Sequence, residues 1–194
     1  MYMIPTPQLT LLGLLRLKRP TTTGLRRSLD DARAELGLGE GDALSPVCVA
    51  YALLKLRVQP EEVSRMLTWR EFEGLAGALL RASGFEVREN LFLTEPRAQI
   101  DVVARGASLT LSIDCKHYGR EPGPSSLARF ARAQLRRSEL LRKKTDDPRP
   151  IASVILSMSE PEGSFIEGVA VVPVRALRSF LTNIDSFADT FELR

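Results

Sequence analysis

The sequence predicts an α/β fold: a helix, three strands opening as an antiparallel set, a long helix, two further strands and a closing helix. A small all-helical segment precedes them. Three observations carry this prediction. A capping signature at Thr68 opens an amphipathic helix. Three stretches of strand character, joined by turn residues, follow it between residues 85 and 116. After a helical pattern over 125–144, the apolar runs Ile151–Met158 and Val169–Val174 read as buried strands.

Composition bounds the alternatives. At 194 residues, 44% hydrophobic and 26% charged, the chain suits one ordinary domain, or a larger one with a small partner. Wholesale disorder is excluded. No apolar run reaches the roughly 18 residues a membrane span needs. Leu9–Leu15 is too short for a signal peptide and has no basic segment before it, so a cytoplasmic protein without membrane contact is expected. Cys48 and Cys115 form neither a disulfide framework nor a zinc cluster. His117, the single histidine, would have to anchor any Ser-His-Asp or Cys-His triad.

Residues 1–67 read as a helical N-terminal domain. Leu9–Lys18 is a short helix ended by Pro20, and the turn at Thr21–Leu25 leads into a helix to Leu36. Gly37–Gly41 breaks it. Ser45-Pro46 is an N-cap with proline at the first helical position, opening a helix through Val47, Ala50, Tyr51, Leu54 and Val58. Pro60 opens a last short helix. Such helices fit a DNA-binding helix-turn-helix variant or a dimerisation or packing module equally well.

Residues 68–194 read as the second domain. Thr68-Trp-Arg-Glu71 is a capping box; the helix runs to about Ala82, and Ser83-Gly84 ends it. Trp69 is expected to pack at the helix start, and Cys48 in the core of its own helix. Phe85–Arg88 is a short strand, Gln99–Ala104 a second, and Ser108–Lys116 a third after the turn at Arg105-Gly106. The Gly119–Pro124 loop precedes the long helix. Pro173 is expected to put the end of the last strand at a sheet edge, and Arg175–Leu181 closes as a helix.

The third strand holds the chemistry. Residues two apart share a face, so Asp114 and Lys116 stand together while Ile113 and Cys115 fill the core. Asp101 sits mid-strand between Ile100 and Val102, where aspartate is disfavoured. If the two strands pair through the turn near Gly106, the two carboxylates converge. Such a pair repels unless a divalent cation lies between them. Oxygen ligands without a Cys or His cluster point to Mg2+ or Mn2+.

Phe72-Glu73, Gly84-Phe85-Glu86-Val87, Ile100-Asp101-Val102-Val103-Ala104 and Ile113-Asp114-Cys115-Lys116-His117 together resemble the PD-(D/E)XK nuclease superfamily. The resemblance is to its Mrr-like type IV restriction endonucleases and archaeal Holliday-junction resolvases, over residues 68–180. Ile100 stands where proline is common, and Asp114 where glutamate is more usual. The resemblance implies a restriction-endonuclease-like core and a metal-dependent endodeoxyribonuclease, with a branched-DNA resolvase or a non-catalytic DNA-binding module as alternatives. It implies Mg2+ or Mn2+ held by Asp101, Asp114 and the main-chain carbonyl of Cys115, with Glu73 joining directly or through water. Lys116 would orient the attacking water or stabilise the transition state. Glu71 would serve the cap and Glu73 the site.

Charge agrees with a polyanionic substrate. Residues 68–115 carry five Lys+Arg against seven Asp+Glu, and residues 116–150 ten against four. On the helix over 125–144, Leu127, Phe130, Ala131, Leu135 and Leu141 share one side, and Arg129, Arg132, Arg136 and Lys143 the other. Arg137 and Lys144 flank that stripe, which is read as a DNA-phosphate track. Gln134 either reaches the active site or hydrogen-bonds the sheet. His117 and Tyr118 either touch substrate or simply end the strand. Cutting both strands of DNA needs two sites, so a homodimer is expected.

Overall fold

The computed structural model describes residues 22–42, 45–117, 122–159 and 165–191. The expected helix over Leu9–Lys18 and Tyr118 lie outside these residues. In chain order the elements are α1 (Thr22–Glu35), α2 (Pro46–Lys55), α3 (Pro60–Ser64), α4 (Trp69–Ala82), β1 (Glu86–Thr94), β2 (Arg97–Arg105), β3 (Thr110–Lys116), α5 (Pro124–Lys144), β4 (Ile151–Ser157), β5 (Phe165–Ile166), β6 (Val169–Pro173) and α6 (Leu177–Thr182). Short 3-10 turns lie at Glu40–Asp42, Val174–Ala176 and Ile184–Thr190.

Local signals place the helix ends. The Ser45 hydroxyl accepts a bond from the Cys48 amide at 3.3 Å, with Pro46 at the first helical position. Both bonds of the Thr68–Glu71 capping box are made, which assigns Glu71 to the cap. α1, α2 and α4 close alike: the amide two residues past the cap reaches back five residues, as Leu38 to Arg33, Val58 to Leu53 and Phe85 to Leu80. The motif needs a left-handed residue. Gly37 and Gly84 supply it at φ 64° and 87°, but α2 uses Arg57 at φ 59°. An L-residue there costs about 1–2 kcal/mol. α2 therefore stops at Lys55, short of the expected Val58, which folds back into the core.

The six strands form one mixed sheet in the order β1-β2-β3-β4-β6-β5. β1, β2 and β3 are an antiparallel meander. α5 then crosses over so that β4 runs parallel to β3, and β6 runs parallel to β4. All seven residues of β4 are buried, as its unbroken apolar run requires. β1 is nine residues long, well beyond the expected Phe85–Arg88. Only Leu93 of the strand is buried, and with the left-handed Asn90 this hides the strand pattern. The strand that ends at Pro173 is not an edge strand along its whole length. β6 is internal, flanked by β4 and by β5, a two-residue strand that no sequence pattern announces. β5 pairs with Val169 and Ala170, and Pro173 is in register with Ser157 of β4, past the described end of β5.

Helices cover both faces of the sheet. On one side Phe72, Leu75 and Leu79 of α4 pack with Leu29 of α1, Val49 and Leu53 of α2, Val102, Ile113, Leu156 and Phe180 in one buried cluster. On the other side Leu127, Ala131 and Leu135 of α5 meet Ile155, Val169 and Val171. Leu141 of α5 joins Leu93, Ile100, Val103 and Ile151. α5 also buries polar groups, and these are satisfied: the Ser138 and Ser153 hydroxyls bond at 2.6 Å.

Candidate active site

The site lies where the sheet opens. β2 and β3 pair from Arg105↔Thr110 to Val102↔Ile113; one step further along that register, Asp101 and Asp114 stand opposite each other. Beyond this point β2 continues with β1, and β3 with β4. The Asp101 carboxylate stands in for the missing ladder partner: its Oδ2 accepts the Cys115 amide at 2.8 Å. Burial raises the Asp101 pKa, the Cys115 amide opposes this, and the Asp114 charge adds to the rise. The Cys115 side chain packs against the α4-side core, and its thiol is pushed well above the ordinary range by burial and by Asp101.

Asp114 is only 4% exposed and bracketed by cations. Arg137 Nη1 of α5 donates to its Oδ1 at 3.1 Å. Lys116 Nζ stands 2.6 Å from its Oδ2, an ion pair by distance whose angle falls outside hydrogen-bond geometry. That ammonium also lies 4.8 Å from the centre of the Phe130 ring. Gln134, fully buried, donates to the Ser112 carbonyl at 2.7 Å and its hydroxyl at 2.9 Å. It therefore hydrogen-bonds the sheet, and its own carbonyl accepts from Arg137 at 3.4 Å.

Glu73 enters from α4 on the other side of the sheet. It is 4% exposed, and its pKa is raised to about 7, chiefly by burial and then by the Asp101 charge; a hydrogen bond with Asn90 pulls the other way. Glu73 Oε2 is buried without a hydrogen-bond partner. Carboxylates that repel one another, with an orphaned oxygen among them, fit a hard cation better than zinc. Among the described residues no three Asp, Glu, His or Cys side chains converge on one metal position. A cation here would draw on two carboxylates together with main-chain or water oxygen.

The structure thus brings together Glu73, Asp101, Asp114, Cys115 and Lys116. His117 is directed elsewhere: its Nε2 lies 2.8 Å from the Ser64 carbonyl, and its ring centre 5.7 Å from that of Phe72. Burial lowers its pKa. Trp69 does not pack as expected; it is 49% exposed, with the Arg70 guanidinium 5.3 Å from its ring centre. Arg129, Arg132, Arg136 and Lys143 are exposed along α5. Arg132 is paired with Glu167 at 2.7 Å. Arg137 leaves the expected flank of that stripe for Asp114.

Two site residues are not evident from sequence. Asn90, left-handed at φ 52°, lies opposite Asp101 in the β1–β2 register and accepts from Gln99 Nε2 at 3.0 Å besides bonding Glu73. Its signal is an asparagine inside a strand, the residue that most readily takes this conformation after glycine. Arg137 is legible only as one helical step from Gln134, on the same side of α5.

Comparison with known proteins bears on this site. Residues 64–139 match the family model described as Mrr_cat, restriction endonuclease; the match contains Glu73, Asp101, Asp114, Lys116 and most of α5. An uncharacterized protein of Archaeoglobus fulgidus is 29% identical over 133 residues, covering 64% of this chain and 98% of that protein. The crystal structure of protein VC1899 from Vibrio cholerae aligns at 14% identity with a TM-score of 0.39, over 98% of this chain. This chain spans 58% of the length of that one.

Proposed function

We propose that this chain, whose residues 64–139 match the restriction-endonuclease family model, is a metal-dependent endodeoxyribonuclease. The observation that carries the proposal is the meeting of Asp101 and Asp114 at the opening between β2 and β3, with Lys116 on the same strand. Asp101, Asp114 and the Cys115 carbonyl, with Glu73 joining through water, would hold Mg2+ or Mn2+, which when bound neutralises phosphate charge and acidifies a water. Lys116 orients the attacking water or stabilises the pentavalent transition state. Arg137 holds Asp114 in place, and Gln134 steadies Arg137 from the sheet side. The exposed cations of α5 track the DNA backbone. Two copies of the site, and hence a homodimer, serve cleavage of both strands. Residues 68–194 form the catalytic unit on this reading, and the preceding helices support α4. No helix of the described residues is long and apolar enough to cross a membrane.

A second reading draws on the ion network of Lys116, Asp114 and Arg137, which already neutralises one carboxylate: a DNA-binding module without catalysis. Incubation with supercoiled plasmid and with a four-way junction, in Mg2+, Mn2+ or chelator, separates the two. The nuclease reading expects cleavage only with metal, abolished in Asp101→Asn while gel-shift binding is retained. Binding without cleavage in either metal establishes the second reading instead.

A further inference from the structure

A second charged site lies on the α4 side of the sheet. α2, the later turns of α4 and the segment after β6 enclose a pocket of about 350 Å3. Four cationic side chains line it, Lys55, Arg57, Arg175 and Arg178, and no carboxylate does. Leu54, Leu79 and Val174 supply an apolar wall. Glu35 of α1 accepts the Tyr51 hydroxyl at 2.8 Å and pairs with Lys55 and Arg178. Glu35 is not part of the lining but holds Lys55 and Arg178 from behind, and Arg175 donates to the Val58 carbonyl.

Arg57 adds an independent observation. α1, α2 and α4 end with the same pair of backbone bonds, and two of them use glycine at the left-handed position. Only α2 places a long charged side chain there, at φ 59°, and that side chain lines the pocket. Glycine would close the helix with less strain. The guanidinium is what the strained residue contributes.

We infer that this pocket binds a small phosphorylated ligand of nucleotide size. Guanidinium forks match phosphate oxygens in pairs, and the lysine adds a point charge. The Leu54–Leu79–Val174 wall accepts a ring or other apolar portion. The volume falls within the range of small-molecule sites. The pocket lining shares no residue with the carboxylate site. The inference stands apart from the nuclease reading.

Calorimetric titration of the full chain, in chelator to prevent cleavage, tests it. The probes are deoxyadenosine monophosphate, deoxyadenosine, inorganic phosphate and a short DNA duplex; the variants are Arg57→Gly and Asp101→Asn. The monophosphate is expected to bind saturably, with inorganic phosphate competing and deoxyadenosine about tenfold weaker or worse. Arg57→Gly is expected to weaken the monophosphate by at least about tenfold while melting no lower than the wild type. Asp101→Asn is expected to bind it as the wild type does. Absence of saturable heat from both monophosphate and phosphate overturns the inference, as does monophosphate binding that survives Arg57→Gly. If the monophosphate gives no heat and Arg57→Gly weakens only the duplex, the pocket contacts DNA backbone and the small-ligand inference fails. Failure of the nuclease reading would appear separately, as absence of metal-dependent cleavage.

Discussion

Asp101 and Asp114 face each other across one opening but differ in what they touch. Asp114 is bracketed by Lys116 and Arg137. Asp101 has a backbone amide and a neighbouring negative charge, and its pKa is raised. Both asparagine variants are expected to abolish cleavage, but their stabilities should diverge. Asp101→Asn can still accept the Cys115 amide and is freed of repulsion, so its melting temperature should hold or rise. Asp114→Asn leaves two cations under-compensated and should cost about 1–3 kcal/mol in denaturant unfolding. Equal destabilisation in both would mean that the pairing is weaker than its distances imply. Glu73 makes a pH-dependent case. Its folded pKa, about 7, lies above its ordinary value of 4.5. The folded state therefore holds the proton more tightly, and this contribution is fully present below pH 4.5 and lost as pH rises through 7. Glu73→Gln should gain stability relative to the wild type between pH 5 and 8, by on the order of 1 kcal/mol, while losing activity. Glu71→Gln, at the cap, should show neither the pH trend nor the activity loss.

At the scale of elements, α5 works on both of its sides. Its buried side holds the sheet through Leu127, Gln134 and Ser138, and its exposed side carries Arg129, Arg132, Arg136 and Lys143. If that side meets DNA, changing Arg129, Arg136 and Lys143 together to alanine should flatten the dependence of log affinity on log salt. The slope should fall by about 0.9 for each duplex phosphate that the variant no longer neutralises. Arg132→Ala should change it less, because Arg132 already pairs with Glu167. An unchanged slope in the triple variant would leave α5 as a solvated helix that does not meet the DNA backbone.

At the scale of the whole molecule, packing runs across residues 67 and 68 without a break. Leu29, Val49, Leu53 and Val63 share one buried cluster with Phe72, Leu75, Leu79 and the sheet. His117, next to Lys116 at the end of β3, bonds Ser64 of α3. Residues 68–194 expressed alone would expose the outer side of α4 to water, at roughly 25 cal/mol for each Å2 of apolar surface. That fragment is expected to melt without a cooperative transition or to aggregate, as followed by circular dichroism and light scattering. A cooperative melt close to that of the full chain would show that residues 68–194 stand without their helical cover.

Much of this molecule is legible in short-range pattern. Ser45-Pro46, the Thr68–Glu71 box and the apolar run of β4 determine their elements because each signal acts within a turn or a strand. Asp101 and Asp114 are legible for the same reason: a tight turn at Gly106 converts thirteen residues of sequence into one cross-strand step. Tertiary structure alone decided the rest. It turned Arg137 onto Asp114 and His117 onto Ser64, and it placed Asn90 between Glu73 and Gln99. It made β6 internal through a two-residue neighbour, and it gathered the pocket cations from segments more than a hundred residues apart. These outcomes depend on packing between distant segments. The period and the propensity of a single segment carry no information about which segment will lie against it.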